Sequence, residues 1–236
     1  MHKIELSKRM KMNADLIPEG CALADIGCDH GYVCIELARK NWCRKIIAMD
    51  VNKGPLAIAE KNICQAKLQD KIMCRISDGL QELEMGEVNT ILVAGMGGML
   101  ISRILQAKPD VVAGLDTLVL QAQSDWRTLR ETIWKLGFSI ETECVCEEAG
   151  KYYLAIRAMR GKEDVPYTEE ECTYGRLLPK QKNELYRQYL SQEFQKREKV
   201  IVSLQKHETE EAEKRRVELL SEQNAIRWIL KQYYGG

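Results

Sequence analysis

The stretch that most constrains the fold is residues 24–32, Ala-Asp-Ile-Gly-Cys-Asp-His-Gly-Tyr. An apolar run over 21–26 predicts a short buried strand, and apolar residues at helical spacing over 32–39 predict a helix directly after it. Glycines at positions 27 and 31 lie between them. A strand that turns into a helix through glycines is typical of nucleotide-binding α/β folds, in which bare backbone and a helix N-terminus face the ligand.

The third position of this turn departs from the dinucleotide pattern GxGxxG, because Asp29 stands where a second glycine is needed. A carboxylate there would repel a pyrophosphate. It suits a ligand with an amino group or a positively charged sulfur, and S-adenosylmethionine has both. An ordinary strand–helix turn would have the same local pattern, so the choice depends on the ends of the later strands.

Length and composition narrow the class of protein. The 236 residues are enough for one domain plus an appendage. Equal numbers of basic and acidic residues, 35 each, neither indicate nor exclude a nucleic-acid partner. Nine cysteines without a CxxC pair, and only three histidines, predict reduced thiols in the cytoplasm and no metal site. We find no signal sequence and no apolar run of membrane length, and so expect a soluble protein with no membrane partner.

The next strand ends carry acidic residues and glycines. A buried strand over 45–51 contains Asp50, placed to accept hydrogen bonds from ribose hydroxyls. The strand over 71–76 precedes Asp78-Gly79, which could accept the amino group of an adenine ring. A fully apolar, central strand over 89–94 runs into three glycines within 95–98. Each feature alone could be a solvated strand end or close helix packing, but together they predict an S-adenosylmethionine site.

The rest of the chain completes the predicted architecture. A fifth strand over 117–121 and an antiparallel pair over 138–145 and 152–157 predict an α/β fold with a class I, Rossmann-like methyltransferase sheet. Composition changes after Arg160, so we expect a methyltransferase domain over 1–160 and, over 161–236, a linker followed by a helical hairpin resembling a coiled coil. The basic residues of the hairpin could meet phosphates, but interleaved acidic residues favour an exposed, ion-paired surface.

Two absences narrow the methyl acceptor. No Asn/Asp-Pro-Pro-aromatic box follows the fourth strand, and no cysteine follows it for a covalent adduct. A ring nitrogen with a free lone pair, such as N1 of adenine, fits best. Its methylation leaves a positive ring, which Asp29 could stabilise while His30 or Tyr32 positions the base. Asp29 could equally bind the amino group of the methionine moiety.

Six motifs occur in order along the chain: Leu6-Ser-Lys-Arg9, Ala24-Asp-Ile-Gly-x-Asp-His-x-Tyr32, Gly54-Pro55, Asp78-Gly-Leu80, Ala94-Gly-Met-Gly-Gly98 and Leu120-Gln121. Together they resemble the bacterial tRNA (adenine-22-N1)-methyltransferases of the TrmK type over essentially the full chain. The resemblance implies methyl transfer from S-adenosylmethionine to N1 of an adenine in the tRNA D-loop, and a helical hairpin that helps to bind the tRNA. Ala122 departs from the family, which has proline there, in the loop that borders the base pocket.

The predicted site residues fall into three groups. We expect catalytic roles for Asp29, His30 and Tyr32. We expect cofactor contacts from Arg9, Asp25, Gly27, Asp29, Gly31, Asp50, Val51, Asp78, Gly79, Gly95 and Met96, and substrate contacts from Met96, Gly97, Gly98, Gln121, Lys180, Arg187 and Arg197. The expected assembly is a monomer or weak dimer. Two alternatives stay open: another RNA base or a small molecule as acceptor, or a non-catalytic RNA-binding protein on the same fold.

Overall fold

Seven strands form one sheet in the computed structural model, which describes residues 5–161, 165–206 and 209–235. They are β1 (Ala22–Ile26), β2 (Lys45–Asp50), β3 (Ile72–Ile76), β4 (Thr90–Met96), β5 (Thr117–Ala122), β6 (Phe138–Glu148) and β7 (Lys151–Arg160). Their order is β3-β2-β1-β4-β5-β7-β6. β1 to β5 are parallel and β7 is antiparallel to both β5 and β6. The predicted class I sheet is therefore confirmed.

The described residues form nine helices. They are α1 (Lys8–Asp15), α2 (Tyr32–Arg39), α3 (Lys53–Gln65), α4 (Gly98–Gln106), α5 (Pro109–Ala113), α6 (Trp126–Lys135), α7 (Glu169–Tyr174), α8 (Glu184–Leu204) and α9 (Glu210–Tyr234). The chain divides into two compact units, Met1–Thr173 and Tyr174–Gly236. The sequence-based domain boundary after residue 160 stays a prediction, and residues 162–164 of the predicted linker lie outside the described residues.

Local chemistry explains where the first helix begins. Basic and apolar residues over 3–13 favour a short helix, and residues 3 and 4 lie outside the described residues. The helix begins at Lys8 because the Ser7 hydroxyl accepts a hydrogen bond from the N–H of Met10, as an N-cap. Short helices α5 and α7 were not predicted.

One hydrophobic cluster of the first unit packs α1, α2 and α3 against the sheet. Every residue of β1 is buried, which accounts for its near-continuous apolar sequence. A buried ion pair lies further along: Nε of Arg130 in α6 is 2.9 Å from a carboxylate oxygen of Glu143 in β6. The same guanidinium donates to the carbonyl of Cys172 at 2.8 Å, and so fixes the end of the unit to its sheet.

The second unit is an antiparallel helical hairpin. The Arg197 guanidinium in α8 contacts the Glu222 carboxylate in α9, and Tyr234 near the end of α9 donates to the carbonyl of Asn183 before α8. These pairs require the two helices to run in opposite directions, as the sequence predicted. The described residues contain no helix that is both long and apolar enough to span a membrane.

Candidate active site

The carboxyl ends of the parallel strands lie side by side at one edge of the sheet. The register pairs Ile26 of β1 with Met49 of β2 and with Val93 of β4, and pairs Ala94 of β4 with Gln121 of β5. The segments after these strands therefore emerge together, at the edge where open α/β sheets bind ligands. Apart from Arg9 in α1, the predicted site residues of the first unit lie near or beyond the carboxyl ends of the parallel strands.

The turn after β1 is fixed against β2. The N–H groups of Gly27 and Cys28 both donate to the carbonyl of Met49, at 2.8 and 2.9 Å. Gly27 has a φ of +74°, and a Cβ there would lie 2.5 Å from Cε of Met96. Glycine is therefore needed for the left-handed backbone, and it leaves room for the end of the methionine side chain. The turn brings Gly27 and Met96, two predicted cofactor contacts, together.

The three predicted catalytic side chains lie in the same turn. Nε2 of His30 is 3.6 Å from a carboxylate oxygen of Asp29, whose side chain is 62% exposed. The rings of His30 and Tyr32 have centroids 5.6 Å apart. The carbonyl of His30 accepts a hydrogen bond of 3.0 Å from Asn62, while Nδ1 of His30 is buried without a hydrogen-bond partner among the described residues. The turn thus holds an imidazole beside an exposed carboxylate.

Three carboxylates lie within electrostatic reach of one another. Asp25 is buried, and burial raises its pKa to about 6, an effect that the thiol of Cys34 partly offsets by donating a hydrogen bond of 3.2 Å. The negative charges of Asp50 and Asp29 raise the pKa of Asp25 further. Because the charges of Asp50 and Asp29 disfavour ionisation of Asp25, this region favours a positively charged ligand.

The ends of β2 and β3 present the groups expected to meet a nucleoside. Asp50 is buried, and one of its carboxylate oxygens accepts a hydrogen bond of 2.8 Å from the N–H of Asn52. The next side chain, Val51, is 56% exposed, so an apolar surface adjoins the carboxylate. After β3, Asp78 is exposed and Gly79 is buried.

β4 ends in a bulge that faces a cation. The register with β5 shifts between Ala94 and Met96, which leaves Gly95 outside the regular pairing. A Cβ on Gly95 would lie 3.4 Å from Nη1 of Arg9 in α1. The guanidinium of Arg9 also lies over the ring of Tyr153, 5.4 Å from its centroid, and makes no ion pair within the described part of the chain. Arg9 thus reaches the sheet edge with its charge unpaired.

The glycines after β4 let the loop after β5 approach closely. The N–H of Gly98 donates to the carbonyl of Ser124 at 3.0 Å, and the N–H of Gln123 donates to the carbonyl of Met96 at 2.9 Å. A Cβ on Gly98 would lie 2.5 Å from the carbonyl oxygen of Asp125. Gly97 and Gly98, two predicted substrate contacts, therefore hold this loop against the end of β4.

Sequence reasoning placed a substrate contact at Gln121, whose side chain is fully buried and donates to the carbonyl of Ala122 at 3.0 Å. The exposed amide at this edge belongs to Gln123, with Nε2 3.9 Å from the Cβ position of Gly95. The sequence did contain a signal, because Gln121 lies in an apolar strand whereas Gln123 lies beyond its end. Tyr153 was missed as well, because nothing in an alternating strand indicates that an arginine will stack on it.

The three predicted basic contacts of the hairpin differ in exposure. Lys180 is exposed, and Arg187 is half-exposed and pairs with a glutamate one turn earlier at 2.8 Å. The Arg197 side chain is only 16% exposed and lies 2.7 Å from both Glu193 and Glu222. Burial disfavours its charge, but these carboxylates outweigh the burial and raise its pKa. Arg197 therefore joins the two helices, and its assignment to tRNA stays a prediction.

Comparison with known proteins identifies the family. Residues 23–227 match the model of the TrmK family, tRNA (adenine(22)-N(1))-methyltransferase. The chain belongs to this family. The curated tRNA (adenine(22)-N(1))-methyltransferase of Bacillus subtilis is 31% identical over 235 residues, 98% of this chain and 99% of that protein. The match covers the sheet and the helical hairpin together.

Solved structures of the family have the same fold. The crystal structure of the B. subtilis m1A22 tRNA methyltransferase TrmK has a TM-score of 0.88 and 29% identity, and covers 97% of this chain and 100% of that chain. Sp1610 of Streptococcus pneumoniae, in complex with S-adenosyl-L-methionine, has a TM-score of 0.85 and 31% identity, over 96% of this chain and 100% of that chain.

Proposed function

We propose that this chain transfers a methyl group from S-adenosylmethionine to N1 of adenine 22 in the D-loop of tRNA. The observation that carries the proposal is the single sheet edge at which Asp25, Asp29 and Asp50 meet the glycine-lined end of β4. Membership of the TrmK family supports the same activity. The tRNA substrate in turn supports a cytoplasmic location, and we expect a monomer or weak dimer that needs neither a metal nor a membrane.

The residues at this edge fit S-adenosylmethionine. When bound, this cofactor supplies a methyl group that is activated by a positively charged sulfur. Asp25 offers negative charge to its cationic groups, and the unpaired guanidinium of Arg9 is available to its carboxylate. Gly27 lies against Met96 and Gly95 lies beside Arg9, and these residues are assigned to the cofactor together with Gly31, which packs against α3. A similar protein from S. pneumoniae was solved with this cofactor.

The nucleoside half fits the ends of β2 and β3. Asp50 has a carboxylate placed to accept hydrogen bonds from ribose hydroxyls, and Val51 exposes an apolar surface beside it. The exposed Asp78 and the adjoining Gly79 are assigned to the adenine ring of the cofactor.

The acceptor nitrogen needs no base, because N1 of adenine already carries a free lone pair. It lies on the Watson–Crick edge, so the target base must leave any pairing before it reacts. Methylation makes the ring positive, and the exposed carboxylate of Asp29 stabilises that developing charge. His30 and Tyr32, whose rings adjoin each other, position the base.

The helical hairpin contributes binding energy through the tRNA backbone. Lys180 and Arg187 have exposed cationic groups that can contact phosphates. Met96, Gly97 and Gly98 border the position of the target base in the first unit.

The deciding experiment is methylation of an unmodified tRNA transcript, followed by nucleoside analysis. We expect N1-methyladenosine with wild-type tRNA, and none when adenine 22 is replaced by guanine. Product at another base would support the alternative acceptor, and no product despite binding of S-adenosylhomocysteine and tRNA would support a non-catalytic protein.

A further inference from the structure

The loop after β5 carries one amide side chain at the sheet edge. The N–H of Gln123 donates to the carbonyl of Met96 at 2.9 Å, and the next residue is tied to α4 by the 3.0 Å hydrogen bond from the N–H of Gly98 to the carbonyl of Ser124. The backbone that carries the Gln123 side chain is therefore fixed at two points.

The amide of Gln123 is available to a ligand. Its side chain is exposed, and its polar atoms make no hydrogen bond within the described ranges. A Cβ added to Gly95 would lie 3.9 Å from Nε2 of Gln123 and 3.4 Å from Nη1 of Arg9, so both side chains border the same point at the sheet edge. Gln121 differs, because its side chain is fully buried and its Nε2 donates to the carbonyl of Ala122. Of these two glutamines, only Gln123 exposes its amide to a ligand at this edge.

The chemistry of adenine dictates which edge such an amide can read. N1 must stay open to the methyl donor, so the Watson–Crick edge cannot be held across that atom. The Hoogsteen edge offers a donor at N6 and an acceptor at N7, which a glutamine amide matches with two hydrogen bonds. Guanine presents two acceptors, O6 and N7, and leaves the amide oxygen facing an acceptor.

We propose that Gln123 is the specificity-determining residue that reads N6 and N7 of the target adenine and leaves N1 exposed. This inference rests on the proposed function and adds the edge by which the base is selected.

The test compares wild-type protein, a Gln123 variant and a control variant on two tRNA substrates. A tRNA assembled with 7-deazaadenosine at position 22 lacks the N7 acceptor but keeps N1 and N6. We expect wild-type kcat/KM to fall about three- to tenfold on this substrate, as for the loss of one neutral hydrogen bond. Gln123→Leu should be slow on both substrates, with a ratio between them near one. The matched control, Gln106→Leu at an exposed position of α4, should keep the wild-type ratio.

Gln123→Glu, which places a negative charge at this position, should reverse the preference between the two substrates. The carboxylate of Gln123→Glu can still accept from N6 but repels the lone pair of N7, so this variant should methylate 7-deazaadenosine faster than adenosine. Thermal unfolding and tRNA affinity should stay at wild-type values in both variants. The inference is overturned if Gln123→Leu keeps the wild-type sensitivity to 7-deazaadenosine, or if Gln123→Glu prefers adenosine. Failure of the proposed function would differ, because wild-type protein would then methylate neither tRNA at position 22.

Discussion

Replacing Gly98 with alanine tests how closely the two loops at the sheet edge must approach. The added Cβ would lie 2.5 Å from the carbonyl oxygen of Asp125 and 2.7 Å from that of Ser124, whereas ordinary contacts begin at 3.4 Å. The obstacle is backbone, so the loop must retreat by about 0.9 Å relative to α4. A displacement near 1 Å of groups that position a substrate can cost about 100-fold in rate. We expect kcat/KM of Gly98→Ala to fall about 10- to 100-fold.

The same clash should lower stability by about 1–3 kcal/mol, as overpacking typically does. Methyl transfer to tRNA and urea unfolding measure the two effects. The matched control is Gly54→Ala in α3, where a Cβ meets nothing within 4 Å. Alanine there should leave activity unchanged, because the added Cβ approaches no part of the site. Wild-type activity and stability in Gly98→Ala would refute the idea that this approach positions the site.

Three further substitutions test other parts of the structure. Glu143→Leu leaves Arg130 buried without its carboxylate, so we expect the free energy of unfolding in urea to fall by about 3–5 kcal/mol. The double variant with Arg130→Met should recover part of this loss. A double variant less stable than the single one would contradict this. Asp29→Asn should lower kcat about 10- to 100-fold. Its affinity for S-adenosylhomocysteine, measured by calorimetry, should stay within about twofold of wild type. A loss of this affinity instead would assign Asp29 to the cofactor. The pKa of Asp25 is about 6 in the folded chain against 3.8 for the free side chain, so its proton is bound more tightly in the folded state and stability is lost as pH rises from about 4 to 6. Asp25→Asn should therefore be more stable than wild type at pH 7.5, by up to about 3 kcal/mol, and equally stable near pH 4. Denaturant unfolding that gives both proteins the same stability at the two pH values would contradict the burial of this carboxylate.

The parallel strands were predictable because burial on both faces leaves continuous apolar runs between turn residues. The end of β4 was not, since its strand continues through Gly95 and Met96 by means of a bulge. A bulge depends on the neighbouring strand, whose register the sequence does not state. The hairpin β6–β7 was predicted too short because its outer residues alternate only half-buried, without the clear period that a core face imposes.

The helical hairpin shows the same limit in a different way. Leu185 and Tyr189 have the spacing of an apolar stripe on α8, whereas Tyr186 and Leu190 are the fully buried side chains. Both sets have helical spacing and differ by one position, or 100° around the helix. Tyr186 is buried because its hydroxyl donates to the carbonyl of Tyr174, a polar partner that hydrophobicity alone does not reveal.

The sequence predicts which residue types lie at the strand ends of the candidate site, but not the energetic cost of ionising them there. Asp25 lies inside a strand that reads as purely apolar around it, and only the structure shows that burial and the charge of Asp50 both oppose its ionisation. A neutral or anionic ligand would leave that opposition in place. A cationic ligand would offset it, because its charge favours the ionised carboxylate. Under the proposed function, part of the affinity for the sulfonium cofactor therefore comes from relieving a cost that the unliganded fold already carries.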